Sequence, residues 1–185
     1  ANTGNDFGGA VSATATDANA VTLFDTDDLT LGIITMGFAD LDIGFGKDLL
    51  NNLGLGLDGR IITDGAVNLT PNQLASDIIL GASAGNANDI SGVITLFNKD
   101  NVRDFVLRNV NSTPGAILDP FLGDALAEAA NLRDVSINYP LGTYTVPEFT
   151  STSLRDLSVY AQTVTLVEGL TSSNGSIELY QADSG

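Results

Sequence analysis

LFDTDDLTLGIITM, residues 23–36, sets three carboxylates, Asp25, Asp27 and Asp28, within four positions and then runs into an apolar stretch. Clustered carboxylates suit two kinds of chemistry. They can surround a hard cation, because calcium takes six to eight oxygen ligands. They can also face one another across a glycosidic bond. Counted from Asp25, an EF-hand needs a liganding side chain at position 5, Gly at 6 and Glu at 12. Those positions hold Leu29, Thr30 and Met36, which excludes that loop. A looser calcium site built from Asp25, Asp27 and Asp28 stays open, with Asp40 or Asp42 as further ligands. The competing role is structural, because charged residues at a strand edge resist unwanted pairing. Calcium is therefore the one cofactor suggested, and folding does not require it. Asp6, in GNDFGG, lies in a single copy of a glycine–aspartate pattern that would need tandem repetition to mark a calcium-binding array.

The remaining inventory for chemistry is thin. The 185 residues include no Cys, no His and no Trp, and only two Lys, Lys47 and Lys99. Thiolate nucleophiles, iron–sulfur clusters and thiolate zinc sites are excluded, and the commonest general base is missing. Glu128, Glu148, Glu168 and Glu178 are the four glutamates, and neither lysine stands in an SxxK pattern. No phosphate loop or dinucleotide fingerprint occurs. We expect no enzyme. A formal net charge of −16 opposes partnership with nucleic acid or anionic lipid. No apolar run is long enough to cross a bilayer, so no membrane insertion is expected. The absence of cysteine and the first residue, Ala1, suggest a processed, secreted protein at the cell surface or outside the cell.

The elements that must position these residues read as strands. Leu29, Leu31 and Ile33 alternate with Thr30, Gly32 and Ile34, and Leu41, Ile43 and Phe45 alternate with Asp40, Asp42 and Gly44. A period of two marks a half-buried strand. Thr70-Pro71-Asn72-Gln73 resembles a helix start, and Asp119-Pro120 offers a second one. The fold expected is a mainly β, antiparallel, sandwich-like domain over residues 19–185, with two short helices at about 71–80 and 120–131. Residues 1–18 form an extended N-terminal arm. A β-solenoid is the alternative, because NVRDFVL, NLRDVSI and SLRDLSV echo one another at residues 101, 131 and 153. Their spacing is unequal, however, and a solenoid calls for one period. Arg103, Arg133 and Arg155 in these echoes read as structural ion-pair residues.

Abundant strands, small-residue surfaces and few reactive side chains point to a secreted structural subunit. Copies of the chain would form a filament, pilus-like fibre or surface layer by β-strand addition. The segment Val11 to Met36 is the candidate donor, inserting Val21, Leu23, Leu29, Leu31 and Ile33. The alternative is a monomeric extracellular module that binds a glycan or a protein, with calcium assisting.

Overall fold

The computed structural model describes residues 5–16, 19–51, 53–54, 57–81, 83, 85, 87–118, 131–146, 149–151, 156–166, 169–172 and 175–182. These form nineteen strands and a short 3-10 turn at Lys99–Asn101. The first seven strands are β1 (Val11–Ala15), β2 (Val21–Phe24), β3 (Leu29–Met36), β4 (Leu41–Phe45), β5 (Leu49–Asn51), β6 (Leu53–Gly54) and β7 (Leu57–Asp58). Next come β8 (Arg60–Thr63), β9 (Val67–Pro71), β10 (Ser76–Leu80), β11 (Asp89–Ile90), β12 (Ile94–Leu96) and β13 (Val102–Arg108). The last six are β14 (Ile117–Leu118), β15 (Asp134–Val146), β16 (Phe149–Ser151), β17 (Asp156–Leu166), β18 (Leu170–Ser172) and β19 (Ile177–Gln181).

A ten-stranded sheet runs in the order β11-β8-β3-β5-β10-β13-β15-β17-β19, with β1 added on β3. Strand β3 serves two neighbours in succession. Its first half, Leu29–Leu31, pairs with β5, and its second half, Ile33–Thr35, pairs with β8. A five-stranded sheet has the order β14-β12-β9-β4-β2. The inward side chains of both sheets make one core. Leu29, Leu49, Ile78, Phe105, Val135 and Leu157 stand in successive registers of the large sheet and are at most 2% exposed. Leu41, Val67 and Ile94, and likewise Ile43, Leu69 and Leu96, do the same in the smaller sheet. Each such buried side chain contributes about 1.5–3 kcal/mol.

This arrangement overturns the expected antiparallel sandwich. Among the described residues only the β6–β7 hairpin is antiparallel, and every other strand pair is parallel. Alternation of apolar and polar residues reports one buried face, whichever way the neighbouring strand runs. Nor do the described residues hold the helix expected at 71–80. Pro71 closes β9, and Ser76, Ile78 and Leu80 point inward while Asp77 and Ile79 point outward. Pairing with β5 on one side and β13 on the other outweighs the local capping signal. Nearly all of the second expected helix, 120–131, lies outside the described residues. The solenoid alternative rested on the three Arg-Asp echoes and called for one period. Leu29 pairs with Leu49 and Asp104 with Asp134, offsets of 20 and 30 residues, so a single period is not shown.

Glycine permits the turns to lie on one another. A Cβ on Gly92 would sit 1.8 Å from the Gly65 carbonyl oxygen, and one on Gly115 would sit 2.0 Å from that of Gly92. No side chain fits at such a contact.

Candidate functional site

The acidic loop lies between β2 and β3, and a strap formed by residues 5–7 crosses it. The Thr26 N–H and hydroxyl both donate to the Asn5 carbonyl at 3.0 Å. Asp25 is fully buried beneath the strap and accepts from the Phe7 N–H at 3.0 Å and the Asp27 N–H at 3.4 Å. This brings one carboxylate oxygen each from Asp6, Asp25 and Asp27 within 4.8 Å of one another. Among the described residues no ion pair reaches the triad. A hydrogen bond with Asp25, followed by desolvation and the charges of Asp6, Asp25 and Asp28, raises the pKa of Asp27. Three convergent carboxylates can share a proton or share a hard cation.

Of the three aspartates expected to bind calcium, Asp25 and Asp27 are brought together, while Asp28 serves elsewhere. Its carboxylate accepts the Asp48 N–H at 3.2 Å, and Asp48 in turn accepts the Asp77 N–H at 2.8 Å. Asp77, Asp104, Asp134 and Asp156 follow in direct register, and Asp156 accepts from the Ser176 N–H and hydroxyl at 3.0 and 2.8 Å. A column of six aspartates therefore crosses the large sheet at the start of its strands. Like charges on adjacent strands repel. Arginine offsets this in the middle of the column. The Arg103 guanidinium grips Asp77 with two nitrogens, and Arg133 grips Asp104 in the same way while reaching Asp134 at 3.0 Å. Hydrogen bonding to Asp77 and to Asp104 raises the pKa of Arg103 and Arg133 respectively. Arg155 lies outside the described residues.

The third member of the triad, Asp6, was the one its sequence signal did not carry. The strap's bonds to Thr26 and Asp25 bring it there, a long-range contact that a single GNDFGG stretch does not signal.

The residues expected to insert into a neighbouring copy lie in the chain's own sheets. Leu29 and Leu31 are fully buried there. Val21 and Leu23 are half-buried and paired with Leu41 and Ile43, and Ile33 is half-buried and paired with Arg60. An open edge lies at the other end of the large sheet. Strand β19 pairs with β17 alone among the described residues. Leu157 donates to the Ser176 carbonyl, and Ala182 donates to the Ala161 carbonyl. In a parallel ladder the even-numbered residues of β19 then bond to β17, leaving the N–H and C=O of Ile177, Leu179 and Gln181 pointing away. Their inward side chains are incompletely covered. Ile177 and Leu179 are half-buried, whereas their register partners Leu157 and Val159 are fully buried.

A cavity of about 400 Å³ opens beside Pro114, Ile117, Thr143 and the ring pair Tyr139–Tyr144, which meets edge to face with centroids 5.4 Å apart. Burial pushes both phenols well above their ordinary pKa, so neither serves as a base. No family model, curated protein or solved structure matches this chain.

Proposed function

We propose that the chain is a secreted structural subunit that assembles end to end into an extracellular filament, pilus-like fibre or surface layer. The observation that carries this reading is the open edge of β19. It offers outward backbone groups above a column of half-covered apolar side chains, which is the template that strand addition uses. At the opposite end, β1 and β2 hold Val11, Ala13, Ala15, Val21 and Leu23 partly buried against the core. Joining one end to the other uses two different surfaces, so the contact is heterologous and propagates. No enzymatic activity enters this reading, which draws on backbone groups and apolar surface. No helix among the described residues is long and apolar enough to cross a membrane.

Light scattering and negative-stain electron microscopy test the reading through Leu179→Pro, which removes an N–H that faces away from β17. The unaltered chain should form fibres or sheets. Leu179→Pro should stay monomeric with an unchanged circular-dichroism spectrum, and Leu179→Ala should still assemble. Monodisperse monomers of the unaltered chain at high concentration, or fibres from the proline variant, reject the mechanism.

Calcium binding by Asp6, Asp25 and Asp27 is a second reading, favoured by their convergence around the fully buried Asp25. The ion would tie the N-terminal strap to the β2–β3 loop, and thus steady one end of the assembling unit.

A further inference from the structure

We infer that the outer face of the five-stranded sheet carries a binding groove for a neutral saccharide. The groove encloses about 260 Å³ and crosses β2, β4 and β9. Two parallel columns form it. In one, Thr22, Asp42 and Asn68 stand in register on successive strands. In the other, Phe24 pairs with Gly44 and Gly44 with Thr70, and Phe97 follows β12 at the same level.

The aromatic column supplies platforms. The Phe24 ring lies over Gly44, where a Cβ would come within 2.7 Å of a ring carbon. The Phe97 ring stands 49% exposed at the far wall. Between them Thr70 leaves a step about one strand spacing wide, ~4.8 Å. Rings held this way offer flat apolar surface to the C–H face of a pyranose.

The polar residues supply acceptors and the Thr22 and Thr70 hydroxyls, while the Asn68 and Asn72 amide nitrogens are engaged within the groove. The Asn68 amide nitrogen donates to one oxygen of Asp42 at 2.7 Å. The Asn72 amide nitrogen donates to the carbonyls of Phe45 and Thr70 at 3.1 and 3.2 Å. The second Asp42 oxygen and the amide oxygens of Asn68 and Asn72 remain as acceptors for a ligand. Ligand hydroxyls, which both donate and accept, match this polar edge, and an apolar ligand face matches the two rings. The net charge of −16 disfavours an anionic ligand. A lysine-rich peptide would satisfy Asp42, but it would leave the flat step between the two rings without a matching surface. The groove lies on the lateral face of β2, β4 and β9, apart from β19 but sharing β2 with the other end of the proposed assembly, so the non-assembling Leu179→Pro chain is needed to separate the two.

Isothermal titration calorimetry on the full chain, and on the non-assembling Leu179→Pro chain, tests it with cellohexaose, maltohexaose, chitohexaose and hexalysine as probes. At least one neutral saccharide should bind with a Kd of about 1 mM or tighter. Phe97→Ala and Asp42→Asn should each weaken that binding about tenfold or more, with the unfolding temperature recorded to show that the variants stay folded. The inference is overturned if none of the three saccharides binds in that range. It is equally overturned if binding is unchanged in both variants, or if hexalysine alone binds.

Discussion

At the residue scale, the buried polar groups form the tightest set of constraints. Asn109 is fully buried, accepts the Ile90 N–H at 3.0 Å and donates to the Ile90 carbonyl at 2.8 Å. Asn88 likewise accepts the Ile61 N–H at 2.9 Å and donates to the Arg108 carbonyl at 3.1 Å. These amides complete the ladder where the backbone leaves the sheet. Asn109→Ala should destabilise the chain by about 2–4 kcal/mol in urea unfolding, because it leaves a buried donor and acceptor without partners. The acidic triad makes a second prediction at this scale. The folded pKa of Asp27 lies above its unfolded value, so its ionisation opposes folding. That opposition is full above the folded pKa and is relieved as pH falls through it toward the unfolded value. The unfolding temperature should rise on acidification from neutral pH into the carboxylate range, and Asp27→Asn should flatten that part of the profile. If the triad holds calcium, saturating the ion at about 100 times its Kd should add about 2.7 kcal/mol at neutral pH. Asp25→Asn should abolish that gain in differential scanning calorimetry.

At the scale of elements, β identity was legible in the sequence and strand direction was not. The alternation at Leu41, Ile43 and Phe45 became the inward face of β4 as read. The same alternation is compatible with an antiparallel or a parallel neighbour, and long-range register decides between them. The triplet NVRDFVL, NLRDVSI and SLRDLSV held more than its uneven spacing suggested. Its offsets are those of the pairs Asp104–Asp134 and Asp134–Asp156. Arg103 and Arg133 do form ion pairs, and their principal partners are aspartates of the preceding strand. Thr70 to Gln73 misled because a capping box is a local signal, while Ile78 is held by strands far away in sequence. Gly92→Ala tests the stacked turns directly. Its Cβ would meet the Gly65 carbonyl oxygen, a backbone atom that cannot turn aside. We expect a loss of about 3 kcal/mol or failure to fold, read from denaturant midpoints, whereas Gly8→Ala, with nothing within 4 Å, should leave the midpoint unchanged.

At the scale of the whole molecule, charge and stacking pull in opposite directions. A net charge of −16 and a column of six aspartates repel, while the buried apolar columns and two arginines hold the strands together. Screening shortens to ~3 Å in molar salt from ~30 Å at 0.01 M. The unfolding temperature should therefore climb with sodium chloride, by about 2–4 °C for each kcal/mol of repulsion removed. Arg133→Gln should steepen that climb and lower the unfolding temperature slightly at low salt, since its half-exposed side chain is screened by solvent. An unfolding temperature that stays flat across this range would contradict the balance described. The column also ends unlike it begins. Asp28 opens it with a carboxylate, whereas Ser176 closes it with a hydroxyl already turned toward Asp156. In the assembly proposed above, an acidic newcomer would be met by a neutral group at the last strand, which would give elongation a direction, with a receptive tail and a guarded head.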